Sequence, residues 1–229
     1  LTFFLLEHPF PFLPSDQGRA FAVNGSLSKG KLRGVGFIFV LCFLISSVLF
    51  LPIDVEYVIY AILLFAMMIS GYLDDASKTP WNEYKKGLID LVISVVAVLT
   101  YMNFNSTTIC FGADEIVIPK ALFLILGVIL IWVSVNVTNC TDGVDGLCAS
   151  LCSVTLLAFG VLFASVLQKY AMANFLFLSV LFAYLYFNSS PSSMLMGDAG
   201  SRALGFYIAV IALKSTHPFI YILLAAVMI

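Results

Sequence analysis

The chain has 229 residues, of which 62% are hydrophobic and only 10% are charged, and its mean hydropathy is +1.07. Since a soluble domain carries about 25% charged residues, this composition excludes an ordinary water-soluble globule. Eleven basic residues against thirteen acidic ones leave no basic excess, so nucleic acid is not expected as a partner. Five cysteines in a chain of this length do not indicate a secreted disulfide scaffold. We therefore predict an all-α, polytopic membrane protein embedded in a lipid bilayer.

Apolar runs separated by short polar breaks divide the chain into candidate membrane-spanning helices. In chain order they cover residues 34–51, 55–72, 88–102, 121–138, 148–167, 173–187 and 203–213, with an eighth run from 218. The longer break at 103–120 carries β-branched residues around Gly112 and Ala113, which predicts an external β-hairpin. Because the runs at both ends are too short to cross a bilayer, we expect residues 1–229 to form one transmembrane domain that is incomplete at both ends.

The basic residues are distributed unevenly between the two predicted sides of the membrane. If the spans alternate in direction, eight of the eleven basic residues lie on one side. They are Arg19, Lys29, Lys31, Arg33, Lys78, Lys85, Lys86 and Arg202. Because cytoplasmic loops are enriched in lysine and arginine, this side is predicted to face the cytoplasm.

Acidic residues from three separate loops are predicted to meet on that same side. Asp74 and Asp75 follow one span, Asp142 and Asp145 come two spans later, and Asp198 comes after two further spans. An even number of spans returns the chain to the same surface. These carboxylates, with lysines among them, form the candidate active site.

The acids of the first and third loops suit a divalent cation. A hydrated helix end would explain one acid after a span, but the adjacent pair Asp74 and Asp75 at the membrane boundary is costly and indicates a function. Asp198 could cap the helix that follows it or bind a cation. Oxygen ligands without histidine or cysteine partners suit Mg²⁺, which is often held by one or two carboxylates together with substrate phosphates.

The second loop carries a polar row at intervals of three residues. Its members are Asn136, Asn139, Asp142 and Asp145. Gly143 and Gly146 are expected to end the helix, so that the row wraps around a pocket where freed backbone amides can hold anions. A polar turn between two spans is the simpler alternative. The regular order of the four side chains favours a ligand site.

Three ordered motifs resemble those of a known enzyme family. They are GYLDD (71–75), NVTNCTDGVDGL (136–147) and MGDAGSRALG (196–205), preceded by GRAFAVNGSLSKGK (18–31). The set resembles the polyprenyl-phosphate N-acetylhexosamine-1-phosphate transferases, and within them the enzymes that transfer phospho-N-acetylmuramoyl-pentapeptide. The resemblance implies a multi-pass enzyme of the bacterial cytoplasmic (inner) membrane with its active site facing the cytoplasm. Its substrates would be UDP-MurNAc-pentapeptide and undecaprenyl phosphate, its products lipid I and UMP, and its cofactor Mg²⁺; a homodimer is compatible with the resemblance.

The resemblance also implies roles for individual residues. Asp198 would hold Mg²⁺, and Asp74 and Asp75 would serve catalysis, one of them as the base that acts on the lipid phosphate. The expected substrate-binding residues are Lys29, Lys78, Asn136, Asn139, Asp142, Gly143, Asp145 and Asn188. Either Lys85 or Lys86 would match the lysine that precedes a Gly-Leu pair in the family. Direct attack by the lipid phosphate and a covalent aspartyl-phosphate intermediate are both open.

Other functions would use the same residue types differently. A sister enzyme would transfer GlcNAc-1-phosphate from UDP-GlcNAc to a polyprenyl phosphate by the same chemistry. An ion-coupled transporter or an intramembrane aspartyl protease would place its acids deep within the spans. Here the acids cluster at one surface beside lysines and Asn/Gly turns, which favours a transferase.

Overall fold

The computed structural model describes residues 1–8, 10–16, 28–77, 79, 81–111 and 114–225, and within these ranges it is a helix bundle with one small sheet. Its helices are α1 (Thr2–Glu7), α2 (Gly36–Phe50), α3 (Val55–Asp75), α4 (Glu83–Phe104), α5 (Lys120–Thr141), α6 (Leu147–Leu162), α7 (Gln168–Asn188), α8 (Gly197–Lys214) and α9 (Pro218–Ala225). The strands β1 (Thr108–Phe111) and β2 (Asp114–Val117) pair in antiparallel fashion and form the expected hairpin.

The described helices confirm a polytopic membrane protein. Four of those in the described ranges, α3, α4, α5 and α7, are long and apolar enough to cross a bilayer, and α2 and α6 are shorter apolar helices. Many of their large apolar side chains remain exposed on the outside of the bundle, as a lipid-facing surface requires.

Four helices extend at least three residues further than predicted at the end that carries the motifs, among them α5, which continues through Thr141. Helix α3 continues through Asp75, α4 begins at Glu83, and α8 begins at Gly197 rather than at residue 203. The prediction that Asp198 and Arg202 lie in a loop is therefore wrong, because both lie in the first two turns of α8. A buried helix can carry these charges because each faces an opposite charge on another helix.

Helix α8 forms the centre of the bundle, and every residue from Gly197 to Lys214 is buried. It packs mainly on α3 and α5 and is also in contact with α2, α4, α6 and α9. Glycines permit this close packing, since a side chain on Gly71 would overlap the backbone carbonyl of Asp198. A side chain on Gly36 of α2 would likewise overlap the backbone of Gly200. The end of α3 therefore lies directly against the start of α8.

Contacts between helix termini define two ends of the bundle. The motif end contains the last turn of α3, the first turns of α4 and α8, and the segments 142–146 and 189–196. The hairpin end contains the β-hairpin and the opposite helix termini, where Lys214 of α8 binds Glu56 of α3 over 2.9 Å. All three acid-bearing segments lie at the motif end, as the alternation of spans predicts.

Candidate active site

Asp75 links the end of α3 to the beginning of α8. Its Oδ1 and Oδ2 atoms accept hydrogen bonds from the backbone N–H groups of Asp198 and Ala199, each over 3.1 Å. Arg33 Nε lies 2.8 Å from the same Oδ1 atom. The first N–H groups of a helix have no partner within the helix and carry partial positive charge, so a carboxylate stabilises them. Asp75 therefore caps α8 from a neighbouring helix and fixes the position of Asp198.

Lys86, in the first turn of α4, lies between two other carboxylates. Its Nζ atom is 2.7 Å from Asp74 Oδ2 and 3.1 Å from Asp198 Oδ2. The Oδ1 atom of Asp74 accepts the backbone N–H of Trp81 over 2.6 Å, which orients this carboxylate. Lys85 is directed elsewhere, with its Nζ atom 3.3 Å from the centre of the Trp81 ring. Of the two lysines that the sequence left open, Lys86 reaches the acids.

Arg33 is a second cation of the cluster, and its part in the site is not evident from the sequence. Besides Asp75, its guanidinium lies 3.4 Å from Asp198 and 3.7 Å from Asp16. Burial lowers the pKa of Arg33, but the negative charges of Asp75, Asp198 and Asp16 together raise it by more. The net pKa therefore lies above its ordinary value. The only signal in the sequence is a single arginine just before a span, which is common and carries little information.

Among the described residues, the cluster contains more negative than positive side chains. Its four carboxylates and two cations are those of Asp16, Asp74, Asp75 and Asp198, and of Arg33 and Lys86. A divalent cation would balance this difference, and the Asp74 and Asp198 oxygens that converge on Lys86 suit Mg²⁺ bound together with substrate phosphates. Within the described ranges, no three His, Cys, Asp or Glu side chains form a ready metal site by themselves.

Asp145 joins the segment after α5 to the segment before α8. Its Oδ2 atom accepts the backbone N–H of Ser192 over 3.0 Å and lies 3.7 Å from Lys31 Nζ. Lys31 also donates to the hydroxyl of Ser192 over 2.8 Å. Burial raises the pKa of Asp145, but the hydrogen bonds from Ser192 and the charge of Lys31 lower it more, so the net pKa lies below its ordinary value.

Two asparagines hold the same segments together. Asn188 accepts the backbone N–H of Gly146 over 3.0 Å and donates to the carbonyl of Met194 over 2.9 Å. Asn139 accepts a hydrogen bond of 2.8 Å from the hydroxyl of Ser201, one turn after Asp198 on α8. These contacts place Asn139 one turn from Asp198 and Asn188 between the segments 142–146 and 189–196, so both predicted substrate-binding residues help to position the loops.

Other residues of the polar row contribute less directly. Asp142 is buried where α5 ends, and its charge acts on Arg33. Gly143 follows it in a half-buried turn. Asn136 lies farther back along α5 and donates to the carbonyl of Trp132 in its own helix over 2.7 Å. Asn136 is therefore not part of the hydrogen-bonded network that the described residues form around Asp198.

The basic stretch at 18–31 is only partly described. Lys29 is exposed in the turn after Ser28. Lys78, also expected to contact substrate, lies outside the described residues, so its role stays a prediction from sequence.

The fold and the cluster together define a multi-pass membrane protein with an acidic and basic site at one end of its helix bundle. The chain matches glycosyl transferase family 4 over residues 57–216. This match covers more than half of the chain, which therefore belongs to that family, and the resemblance seen in the motifs is confirmed.

Several known proteins are similar to this chain over most of its length. The phospho-N-acetylmuramoyl-pentapeptide-transferase of Treponema pallidum (strain Nichols) is 35% identical over 250 residues, which cover 100% of this chain and 69% of that protein. The transferase of the same name from Halalkalibacterium halodurans is 29% identical over 232 residues, covering 93% of this chain and 70% of its own length. The transferase of the same name from Wolinella succinogenes is 29% identical over 240 residues, covering 91% of this chain and 67% of its own length.

Proposed function

We propose that this protein transfers phospho-MurNAc-pentapeptide from UDP-MurNAc-pentapeptide to undecaprenyl phosphate, forming lipid I and UMP for peptidoglycan synthesis. The observation that carries the proposal is the position of Lys86 Nζ, within 3.1 Å of carboxylates from two other helices, Asp74 and Asp198. The names of the similar proteins agree with this chemistry.

The arrangement of charge suits a reaction between two anions. A lipid phosphate and a nucleotide diphosphate repel each other, so the site must supply positive charge where the phosphoryl group is transferred. Lys86 and Arg33 are held by carboxylates at the motif end and can donate hydrogen bonds to phosphate oxygens. We propose Asp74 and Asp198 as the residues that would hold Mg²⁺, which would supply positive charge to stabilise the transferring phosphoryl group.

The two adjacent aspartates have different tasks in this proposal. Both oxygens of Asp75 accept backbone N–H groups of α8, and its side chain is wholly buried, so Asp75 acts as a positioning residue. Asp74 keeps its Oδ2 atom directed to Lys86, where it can take the proton of the lipid phosphate or bind the cation. Direct attack then needs no covalent intermediate, and a phosphorylated protein formed from the UDP substrate alone would contradict it.

We propose a place for each substrate from the surroundings of the cluster. The linked loops with Lys31, Asp145 and Asn188 form the polar side of the site, where the sugar nucleotide would bind from the cytoplasm. The bundle surface facing lipid is apolar and would admit the polyprenyl chain. The proposal therefore places the motif end at the cytoplasmic surface.

The direct test is UMP release by the purified protein in lipid nanodiscs with undecaprenyl phosphate. We expect turnover with UDP-MurNAc-pentapeptide, little or none with UDP-GlcNAc, and loss of turnover in EDTA that Mg²⁺ restores. Glu115→Gln, on the exposed face of β2 at the hairpin end, is the matched control and should leave turnover unchanged. Turnover with UDP-GlcNAc alone would favour the sister reaction, and turnover with neither substrate would contradict the proposal.

A further inference from the structure

A second ion pair joins α4 to α8 next to the contact between Lys86 and Asp198. Arg202 Nη2 donates to Asp90 Oδ1 over 2.5 Å. The two residues are only 1% and 2% exposed, so neither can touch a substrate. Neither has a role in the reaction proposed above.

The two ion pairs have opposite polarity. Lys86 and Asp90 are four residues apart on α4, and Asp198 and Arg202 are four residues apart on α8, so each set lies on one helix face. In the first pair the cation, Lys86, is on α4 and the acid is on α8. In the second pair, one helical turn further along, the cation, Arg202, is on α8 and the acid is on α4. Sliding α4 by one turn would bring Asp90 opposite Asp198, or Lys86 opposite Arg202. Such buried like-charge contacts would strongly disfavour the shifted registers.

The pair is poorly suited to a purely stabilising role. Within the described part of the chain, the Nε and Nη1 atoms of Arg202 have no hydrogen-bond partner although they are buried. Burying a guanidinium is costly, and apolar side chains in place of a buried ion pair often stabilise a protein at least as well. What apolar side chains would not provide is a preference for one axial register.

We propose that Asp90 and Arg202 are positioning residues that fix the register of α4 against α8 and so hold Lys86 between Asp74 and Asp198. This inference rests on the proposed function for its effect on turnover, but the register itself can be measured without activity. Because the site depends on an interhelical fit, a shift of about 1 Å at Lys86 is expected to cost up to about 100-fold in rate.

The test is the apolar double variant Asp90→Leu/Arg202→Met, which removes both charges and leaves no buried unpaired ion. We expect unfolding at or above the wild-type temperature, KM for UDP-MurNAc-pentapeptide within about twofold, and kcat lowered about 10- to 100-fold. The control Glu56→Gln/Lys214→Met neutralises the buried pair at the hairpin end and should leave kcat unchanged. Should the apolar variant fold poorly, Asp90→Asn keeps the volume and an acceptor for Arg202 and is expected to lower kcat partially.

A distance measurement reads the register independently of turnover. Spin labels at Tyr84→Cys and Ser193→Cys, both exposed positions at the motif end, are compared in a Cys110→Ser/Cys140→Ser background. In the apolar variant we expect the distance distribution to broaden or to gain a population displaced by about 5 Å, one helical turn. An unchanged distribution overturns the inference, and so does full kcat in a folded variant. If the wild type itself releases no UMP, the proposed function fails, and the spin-label distances still decide the register.

Discussion

Asp75 accepts the backbone N–H of Asp198 over 3.1 Å, so the last turn of one helix caps the first turn of another. The second carboxylate oxygen of Asp75 accepts the N–H of Ala199, and Gly71 lets the two helices approach closely enough for both bonds. Asp74, the neighbour of Asp75, instead faces Lys86. Two adjacent and chemically identical side chains thus have different tasks because neighbouring positions on a helix point in different directions.

The different tasks of the two aspartates predict different consequences of removing each charge. Asp74→Asn should lower kcat by about 10²- to 10⁴-fold with little change in the unfolding temperature, because it removes a base or metal ligand. Asp75→Asn should also lower the free energy of unfolding by about 1–3 kcal/mol, since its amide NH₂ would face a backbone N–H of α8. UMP release and thermal unfolding of the two variants check this. Equal stability of the two variants would contradict the capping role of Asp75.

Close packing at Gly71 predicts sensitivity to a single methyl group. Gly71→Ala would push α3 away from the backbone of Asp198, and we expect it to lower the free energy of unfolding by about 1–3 kcal/mol and to impair turnover. Gly87→Ala is the matched control, because the new methyl would lie 3.7 Å from the Trp132 ring, an ordinary contact. The control should be neutral or stabilise α4 by up to about 1 kcal/mol. The unfolding temperature should therefore fall for Gly71→Ala and should stay unchanged or rise for Gly87→Ala.

The buried pair at the hairpin end should matter for stability and not for chemistry. Lys214 donates to both oxygens of Glu56 and to Asn105, so Lys214→Met leaves a buried carboxylate without its cation. We expect a loss of about 3–5 kcal/mol in the free energy of unfolding, with kcat of the folded fraction unchanged. Adding Glu56→Gln should recover most of the stability, and the exposed Lys120→Met should have no effect. A lower kcat at full stability would show that this end takes part in the reaction.

The proposed orientation predicts which end of the bundle is accessible from outside the cell. Glu115→Cys lies on the exposed hairpin, and Glu83→Cys lies at the start of α4, where the glutamate side chain is 86% exposed. In a background without Cys110 and Cys140, a membrane-impermeant maleimide should label only the hairpin position in intact cells. Both positions should react after permeabilisation. Labelling of the α4 position in intact cells would place the motif end outside the cytoplasm.

The sequence predicts the architecture well because the bilayer imposes simple rules on it. Apolar length identifies the spans, and the alternation of spans places Asp75 and Asp198 at one end. The start of α8 is missed because Asp198 and Arg202 interrupt the apolar run, although both are buried through partners on other helices. A hydropathy profile scores each residue separately and therefore does not detect ion pairs between helices.

Finer features of the site depend on the angle and register at which helices meet. The choice of Lys86 over Lys85 follows from which face of α4 contacts α8, and the role of Arg33 follows from the position of the segment before α2. Neither can be obtained from spacing along the chain. The same is true of the Asp90–Arg202 pair, whose partners are 112 residues apart.

In the proposed function, Lys86 of α4 and Asp198 of α8 act as one reaction centre. A double-mutant cycle of UMP release with Lys86→Met, Asp198→Asn and the combination tests it, with Lys85→Met as the neighbouring control that should keep near-normal turnover. Each single variant should lose about 10²- to 10³-fold, and the double variant about as much as the worse single one, because residues acting as a unit are not additive. Losses that multiply in the double variant, or an equal loss in Lys85→Met, would contradict a shared centre.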